Sequence, residues 1–127
     1  RVGDRLDVSA VRAVADLDAV LNVQRVAARL KLDDVVLDYA VRLVAATRKT
    51  PGFAIGAGPR GGIALIRTAR AQALLNGRDF VTPDDIKAIV KPALRHRLTL
   101  AAEYEMEGAR VDEVLEDLLR QVAAPRV

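Results

Sequence analysis

The residues best suited to chemistry lie in one short stretch, Gly56-Ala57-Gly58-Pro59-Arg60-Gly61-Gly62. Four glycines and a proline surround one arginine at the predicted start of a helix. A helix start presents backbone N–H groups without intrahelical acceptors, together with the positive end of the helix dipole. Phosphate suits both features. Glycine lets a ligand come close to the backbone, and Arg60 adds a planar, permanently charged fork that matches phosphate oxygens. Helical spacing sets Arg67 nearly above Arg60, with Arg70 somewhat to the side, so a basic stripe runs up from the helix start. The same residue types are also ordinary punctuation at a loop-to-helix junction, and arginines on a helix face are commonly solvated or paired with acids. The stretch permits phosphate binding without requiring it.

Other candidates give less. His96 is the only histidine and there is no cysteine, so a typical zinc site cannot be assembled. It reads as a helix-end residue between Arg95 and Arg97. Ser9 is the only serine and lies in the leading segment, which argues against a Ser-His-Asp arrangement. Asp33-Asp34 and Asp84-Asp85 are paired carboxylates, but both stand at predicted helix starts, where capping explains them. Glu103, Glu105 and Glu107 would share one face of an extended segment, with Tyr104 and Met106 on the other. A solvated strand face accounts for them better than a divalent cation, and no metal site is expected.

The elements that position the arginine follow from periodicity and caps. Residues 1–15 lack a clean helical period and read as an extended lead-in. Asp16 caps a first helix over about residues 17–30, and Asp33 caps a second, with Arg48-Lys49 in its last turn. Thr50-Pro51-Gly52 breaks the pattern, and a loop runs to Gly58. The third helix covers residues 59–76, with Pro59 in its first turn and Gly77 just past its end. Phe80-Val81 forms a short extended bridge to Thr82-Pro83-Asp84-Asp85, a strong helix start; Pro92 could kink the helix that follows. After the partly alternating residues 98–108, a last helix runs over about 111–122. The expected fold is all-α, a small bundle of about five helices with short extended segments.

A chain of 127 residues fits one domain. Aromatic residues are only 3%, so a core drawn from the 51% hydrophobic residues must be built from Ala, Val, Leu and Ile, which suits closely approaching helices. The net charge of +3 permits phosphate partners, but acids are interspersed throughout. There is no apolar run long enough to span a bilayer and no signal-peptide pattern, so a cytoplasmic location and no membrane partner are expected. The chain begins with Arg1 rather than Met, as expected of a piece of a longer protein.

Several motifs occur together in order. Gly56-Ala57-Gly58-Pro59-Arg60 is followed by Ala64-Leu65-Ile66-Arg67-Thr68-Ala69-Arg70-Ala71, then by Gly77-Arg78-Asp79-Phe80-Val81-Thr82-Pro83-Asp84-Asp85-Ile86 and Leu94-Arg95-His96-Arg97-Leu98. With the helix Tyr39 to Arg48, the set resembles the C-terminal lid of MoxR-family AAA+ ATPases over roughly residues 11–120. Magnesium-chelatase ATPase lids share part of it. Gly58 departs from the family's usual serine, and Gly61-Gly62 from its usual alanine and small polar residue.

The resemblance implies that residues 1–15 lead in from an AAA+ core and that residues 16–127 form the helical lid. It implies that Arg60 is the sensor-2 arginine, reaching the γ-phosphate of ATP, and that Gly58, Pro59, Arg60 and Gly61 make up the nucleotide-facing junction. ATP with Mg would be held mainly by the core domain. The chain contains no G-x-x-x-x-G-K-[ST] loop, so on its own it is expected to bind no cofactor and hydrolyse nothing, while the parent would be an ATPase. The implied partners are the protein's own AAA+ core and a homo-oligomeric ring, a hexamer, with von Willebrand A-domain proteins as a further class. The implied parent is a chaperone-like ATPase for assembly or metal loading of other complexes. Two alternatives come from other classes. One is a small basic helical nucleic-acid-binding or histone-like module, disfavoured by the scattered basic residues and the short central helix. The other is an adaptor whose last helix recognises a partner.

Overall fold

The structure, a computed structural model, describes residues 7–126. Six α-helices account for most of them, and the all-α expectation holds. Helix α1 (Leu17–Ala28) starts where Asp16 accepts a hydrogen bond from the Ala19 N–H at 2.8 Å. Helix α2 (Asp34–Thr47) follows Asp33, which takes the extended cap conformation without a side-chain cap bond. Helix α3 (Pro59–Leu75) is the longest. Helix α4 (Pro83–Leu94) contains Pro92 and tightens into a 3-10 turn over Arg95–Arg97. Helices α5 (Ala102–Met106) and α6 (Val111–Gln121) complete the set. Two short strands, β1 (Phe53–Ile55) and β2 (Thr99–Leu100), pair antiparallel, and Lys31 and Phe80 form an isolated parallel bridge.

Helix α3 lies at the centre. Its buried face is Leu65, Ala69 and Ala73, and the two alanines let α4 come close with Ile86, Ile89, Val90 and Leu94. Val36, Tyr39, Ala40 and Leu43 of α2 and Val114, Leu115 and Leu118 of α6 close the core. Small aliphatic side chains thus set the helix spacing, as a composition poor in aromatics requires. Each fully buried leucine contributes about 1.5–3 kcal/mol relative to exposure.

Helix α1 is different. It has the right period but buries none of its residues, and Leu17, Val20 and Val23 face outward. Its C-terminal end is held to the body through the Lys31–Phe80 bridge and by Arg70, whose Nε donates to the Leu30 carbonyl at 3.2 Å. Of the expected extended lead-in, residues 7–15 are described. Val8–Ala10 form a 3-10 turn, the rest have neither helix nor strand, and all are exposed. Residues 1–6 of that lead-in lie outside the described residues, as does the final residue of the expected lid range 16–127.

Two expectations are corrected. Residues 102–106 form helix α5 rather than an extended segment, so Glu103, Glu105 and Glu107 do not share a face. Ala, Glu and Met are good helix formers, and Gly108 at φ +81° supplies a left-handed stop. The Gly108 and Ala109 N–H groups donate back to the Glu105 and Tyr104 carbonyls, which closes the helix end. The expected loop before Gly58 contains strand β1, whose partner β2 is distant in sequence. Among the described residues, no helix is long and apolar enough to cross a membrane.

Candidate functional site

The start of α3 is anchored from below. Thr47, buried at the end of α2, donates its hydroxyl to the Val44 carbonyl at 2.6 Å and accepts from the Ala57 N–H at 2.9 Å. One threonine therefore ties the loop before α3 to α2. Gly56 makes this close approach possible, because a Cβ there would stand 2.6 Å from the Thr47 carbonyl oxygen and 2.7 Å from the Arg48 Cα. Gly58 then takes the extended cap position (φ −100°, ψ −168°) with no side chain to cap the helix. A Cβ at Gly58 would meet nothing within 4 Å, so glycine is not required there by space or by backbone angle.

The first turn is only partly satisfied internally. Pro59 carries no N–H, and the Gly61 and Gly62 N–H groups donate to the Gly58 carbonyl at 2.9 and 3.4 Å. The Arg60 amide finds no acceptor among the described residues. Arg60 itself is exposed, and no acid pairs with it among the described residues. Its side chain lines an open cleft of about 450 Å³ with Ile63, Ala64, Arg67, Thr68 and Arg97. Of the expected basic stripe, Arg67 joins Arg60 in this cleft, whereas Arg70 turns to the Leu30 carbonyl. On the other side of Pro59, an apolar groove of about 480 Å³ runs between α2 and α3, walled by Leu37, Val41, Val44, Ile63 and Ile66.

The sequence places Arg97 beside His96 and within the Leu94-Arg95-His96-Arg97-Leu98 motif, and gives it no role at the site. Its place in the cleft follows from the packing of α4 on the buried Gly61, where a Cβ would stand 3.1 Å from the Leu94 Cδ2.

The opposite end of α3 carries an arginine of another kind. Arg78 grips Asp85 with both terminal nitrogens, one bond measuring 2.6 Å. Asp85 also accepts from the Thr82 N–H at 2.8 Å, while the Thr82 hydroxyl accepts from the Asp85 N–H, a complete capping box. Burial would raise the Asp85 carboxyl, but the Arg78 fork and the Thr82 amide and hydroxyl outweigh it and hold its pKa below the ordinary value. Gly77, at φ +78°, ends α3 with its own N–H and that of Arg78 bound to the Leu74 and Ala73 carbonyls. The capping role expected for the Asp84-Asp85 pair thus falls on Asp85, and Asp84 stays exposed. Elsewhere, Tyr39 buries its hydroxyl without a partner among the described residues, and burial raises its pKa. Among the described residues, no three His, Cys, Asp or Glu side chains come together as a metal site.

Comparison with known proteins places this geometry. The family model described as "AAA lid domain" matches residues 45–118, which include the Thr47 anchor, both ends of α3 and all of α4. The chain is 35% identical over 117 residues to Chaperone MoxR1 of Mycobacterium tuberculosis, covering 85% of this chain and 31% of that protein. It is 40% identical over 80 residues to Protein MoxR of Methylorubrum extorquens, covering 58% of this chain and 22% of that one. A crystal structure assigned as an ATPase from Cytophaga hutchinsonii superposes with a TM-score of 0.80 at 31% identity, over 86% of this chain and 36% of its own. The chain spans about a third or less of the length of these relatives. The chain belongs to the AAA lid domain family, and within it to the lids of MoxR-type AAA+ ATPases.

Proposed function

We propose that this domain closes over ATP and Mg held by an AAA+ core, and that Arg60 is the sensor-2 arginine that meets the terminal phosphate. The observation that carries this reading is the start of α3. An exposed arginine with no acid partner stands in the first turn of a seventeen-residue helix whose cap position has no side chain. Unmatched donors, helix dipole and guanidinium then favour an anion at the same place. Gly58 shapes the approach, since it puts no side-chain cap in competition with an anion for the first-turn amides, and Pro59 fixes the backbone of that turn. Gly61 contributes mainly space, because its amide is already bound to Gly58. ATP with Mg supplies the charge and the hydrolysable bond. The lid's residues would orient it and keep bulk water away from the phosphates, apart from the one water that hydrolysis consumes.

A lid also needs surfaces that the rest of the protein can cover. The groove between α2 and α3 and the outward stripe of α1 supply them, and residues 1–15 serve as the lead-in from the core. In this reading the parent works as a homo-oligomeric ring, a hexamer, and closure of one lid is felt by the next subunit. One relative is named a chaperone. By that likeness the parent is a chaperone-like ATPase for assembly or metal loading of other complexes, with von Willebrand A-domain proteins as candidate partners.

The test is hydrolysis by the intact ATPase. Arg60→Ala should lower turnover by about tenfold or more, the loss of one charge-assisted contact to the reacting phosphate. Arg120→Ala, which removes an exposed arginine paired with Asp117 on α6, should leave turnover unchanged. Normal hydrolysis by the Arg60 variant removes Arg60 from the mechanism.

A further inference from the structure

The first turn of α3 carries more positive charge than Arg60 alone. Gly61 is buried there, and a Cβ at this position would stand 3.0 Å from the Ala57 Cβ, 3.1 Å from the Leu94 Cδ2 and 3.7 Å from the Arg97 Cδ. The absent side chain lets Leu94, at the end of α4, lie against the start of α3, and the stem of Arg97 runs beside it. The 3-10 turn Arg95–Arg97 thereby delivers a guanidinium from another element into the cleft lined by Arg60 and Arg67.

Three arginines converge in that cleft, and no acid lines it. Arg42, Arg78, Arg95, Arg110 and Arg120 each pair with an acid, and Arg70 donates to a carbonyl. Among the described residues, Arg60, Arg67 and Arg97 have neither kind of partner through their side chains, as is also true of the exposed Arg12, Arg25, Arg29, Arg48 and Arg126. Arg97 differs from all of these in that its Nε is buried with no acceptor among the described residues. Burying an unmatched charged donor, and setting like charges together, both oppose folding. An anion in the cleft relieves the repulsion and gives the guanidiniums that line it an acceptor.

We propose that Arg97 is a second phosphate-binding arginine, acting with Arg67 on the same triphosphate that Arg60 meets. The proposal rests on the reading of Arg60 as the phosphate arginine. It adds a contact from beyond the end of α4, so that the triphosphate is gripped by two elements of the lid and not by α3 alone. Thr68 offers a neutral hydroxyl in the same cleft.

The test uses the whole chain, titrated by NMR with inorganic tripolyphosphate and separately with ATP, at low and at physiological salt. Arg97→Gln and Arg60→Gln should each weaken tripolyphosphate binding by roughly tenfold, the loss of a charge-assisted hydrogen bond, whereas Arg120→Gln should change it less than about twofold. The Arg97 Nε–H resonance should shift on binding. Arg97→Lys keeps the stem over Gly61 and the charge, and should recover most of the affinity. If Arg97→Gln behaves like Arg120→Gln while Arg60→Gln weakens binding, the role of Arg97 is overturned and that of Arg60 stands. If neither variant weakens binding, both readings fall. If only Arg97→Gln weakens it, the shared ligand is overturned. Equal affinity for tripolyphosphate and ATP supports the phosphate chain as the ligand, and binding of ATP alone overturns that assignment.

Discussion

The two ends of α3 use the same residue types, glycine and arginine at a loop–helix junction, in opposite ways. At the C-terminal end, Gly77 takes a positive φ, the last carbonyls are capped, and Arg78 closes on Asp85 inside a capping box. At the N-terminal end, Gly58 leaves the cap empty, and Arg60, Arg67 and Arg97 meet in a cleft without an acid. One end spends its charge on joining α3 to α4. The other leaves its charge unmatched. The lesson is that an arginine's role is set by whether the fold supplies its counter-charge, and this decides between two motifs that look alike on paper.

The comparison can be broken most readily at the closed end. Asp85→Ala removes the partner of Arg78 and the capping box together, and should cost about 3 kcal/mol, near the low end for a buried pair because Arg78 is partly exposed. Urea unfolding measures it, and a loss below about 1 kcal/mol would show that the junction is held by apolar packing alone.

Acid gives a second handle on the same end. The folded pKa of Asp85 lies below its unfolded value, so its contribution is complete above about pH 4 and disappears as pH falls through the folded value. The urea midpoint should therefore drop on going from neutral pH to about pH 3, and Asp85→Ala should show a shallower drop. Parallel curves for the two proteins would assign the acid sensitivity to other carboxylates.

Smaller effects sharpen the open end. Gly58→Asp has room for its side chain and a cap conformation that accepts it, so stability should rise by a few tenths of a kcal/mol, up to about 1. The same carboxylate should weaken tripolyphosphate binding, because it takes the amides and repels the anion. A stabilised variant with undiminished binding would contradict the placement of the anion at the α3 start. The smallest effect is expected for Arg60→Ala, whose thermal or urea stability should stay within about 0.5 kcal/mol of the parent. A larger loss would mean that Arg60, like Arg78, is committed to the fold.

Much of this contrast is legible in the sequence, because caps are local. Asp16, Gly77 and Thr82-Pro83-Asp84-Asp85 mark helix ends within a few residues of themselves, and the structure has those ends. Gly58-Pro59-Arg60 is legible as a helix start for the same reason. What depends on distant residues is not. Strand β1 exists only because β2 lies beside it. Helix α5 depends on Tyr104 packing against the core and on the stop at Gly108, while the alternation around its glutamates suggests a strand. The exposed stripe of α1 has helical spacing like any core helix, and spacing alone does not reveal that the described residues leave it uncovered. Arg97 reaches the cleft only through the packing of α4 on Gly61, a contact between elements that no local pattern encodes.

The most direct measurement is a structure of the intact MoxR-type ATPase that carries this lid, bound to Mg and a non-hydrolysable ATP analogue. The Arg60 guanidinium is expected at hydrogen-bond distance, about 2.9 Å, from a γ-phosphate oxygen, with Arg78 still closed on Asp85. A lid closed over nucleotide with Arg60 facing solvent, or paired with an acid of the core, would contradict it.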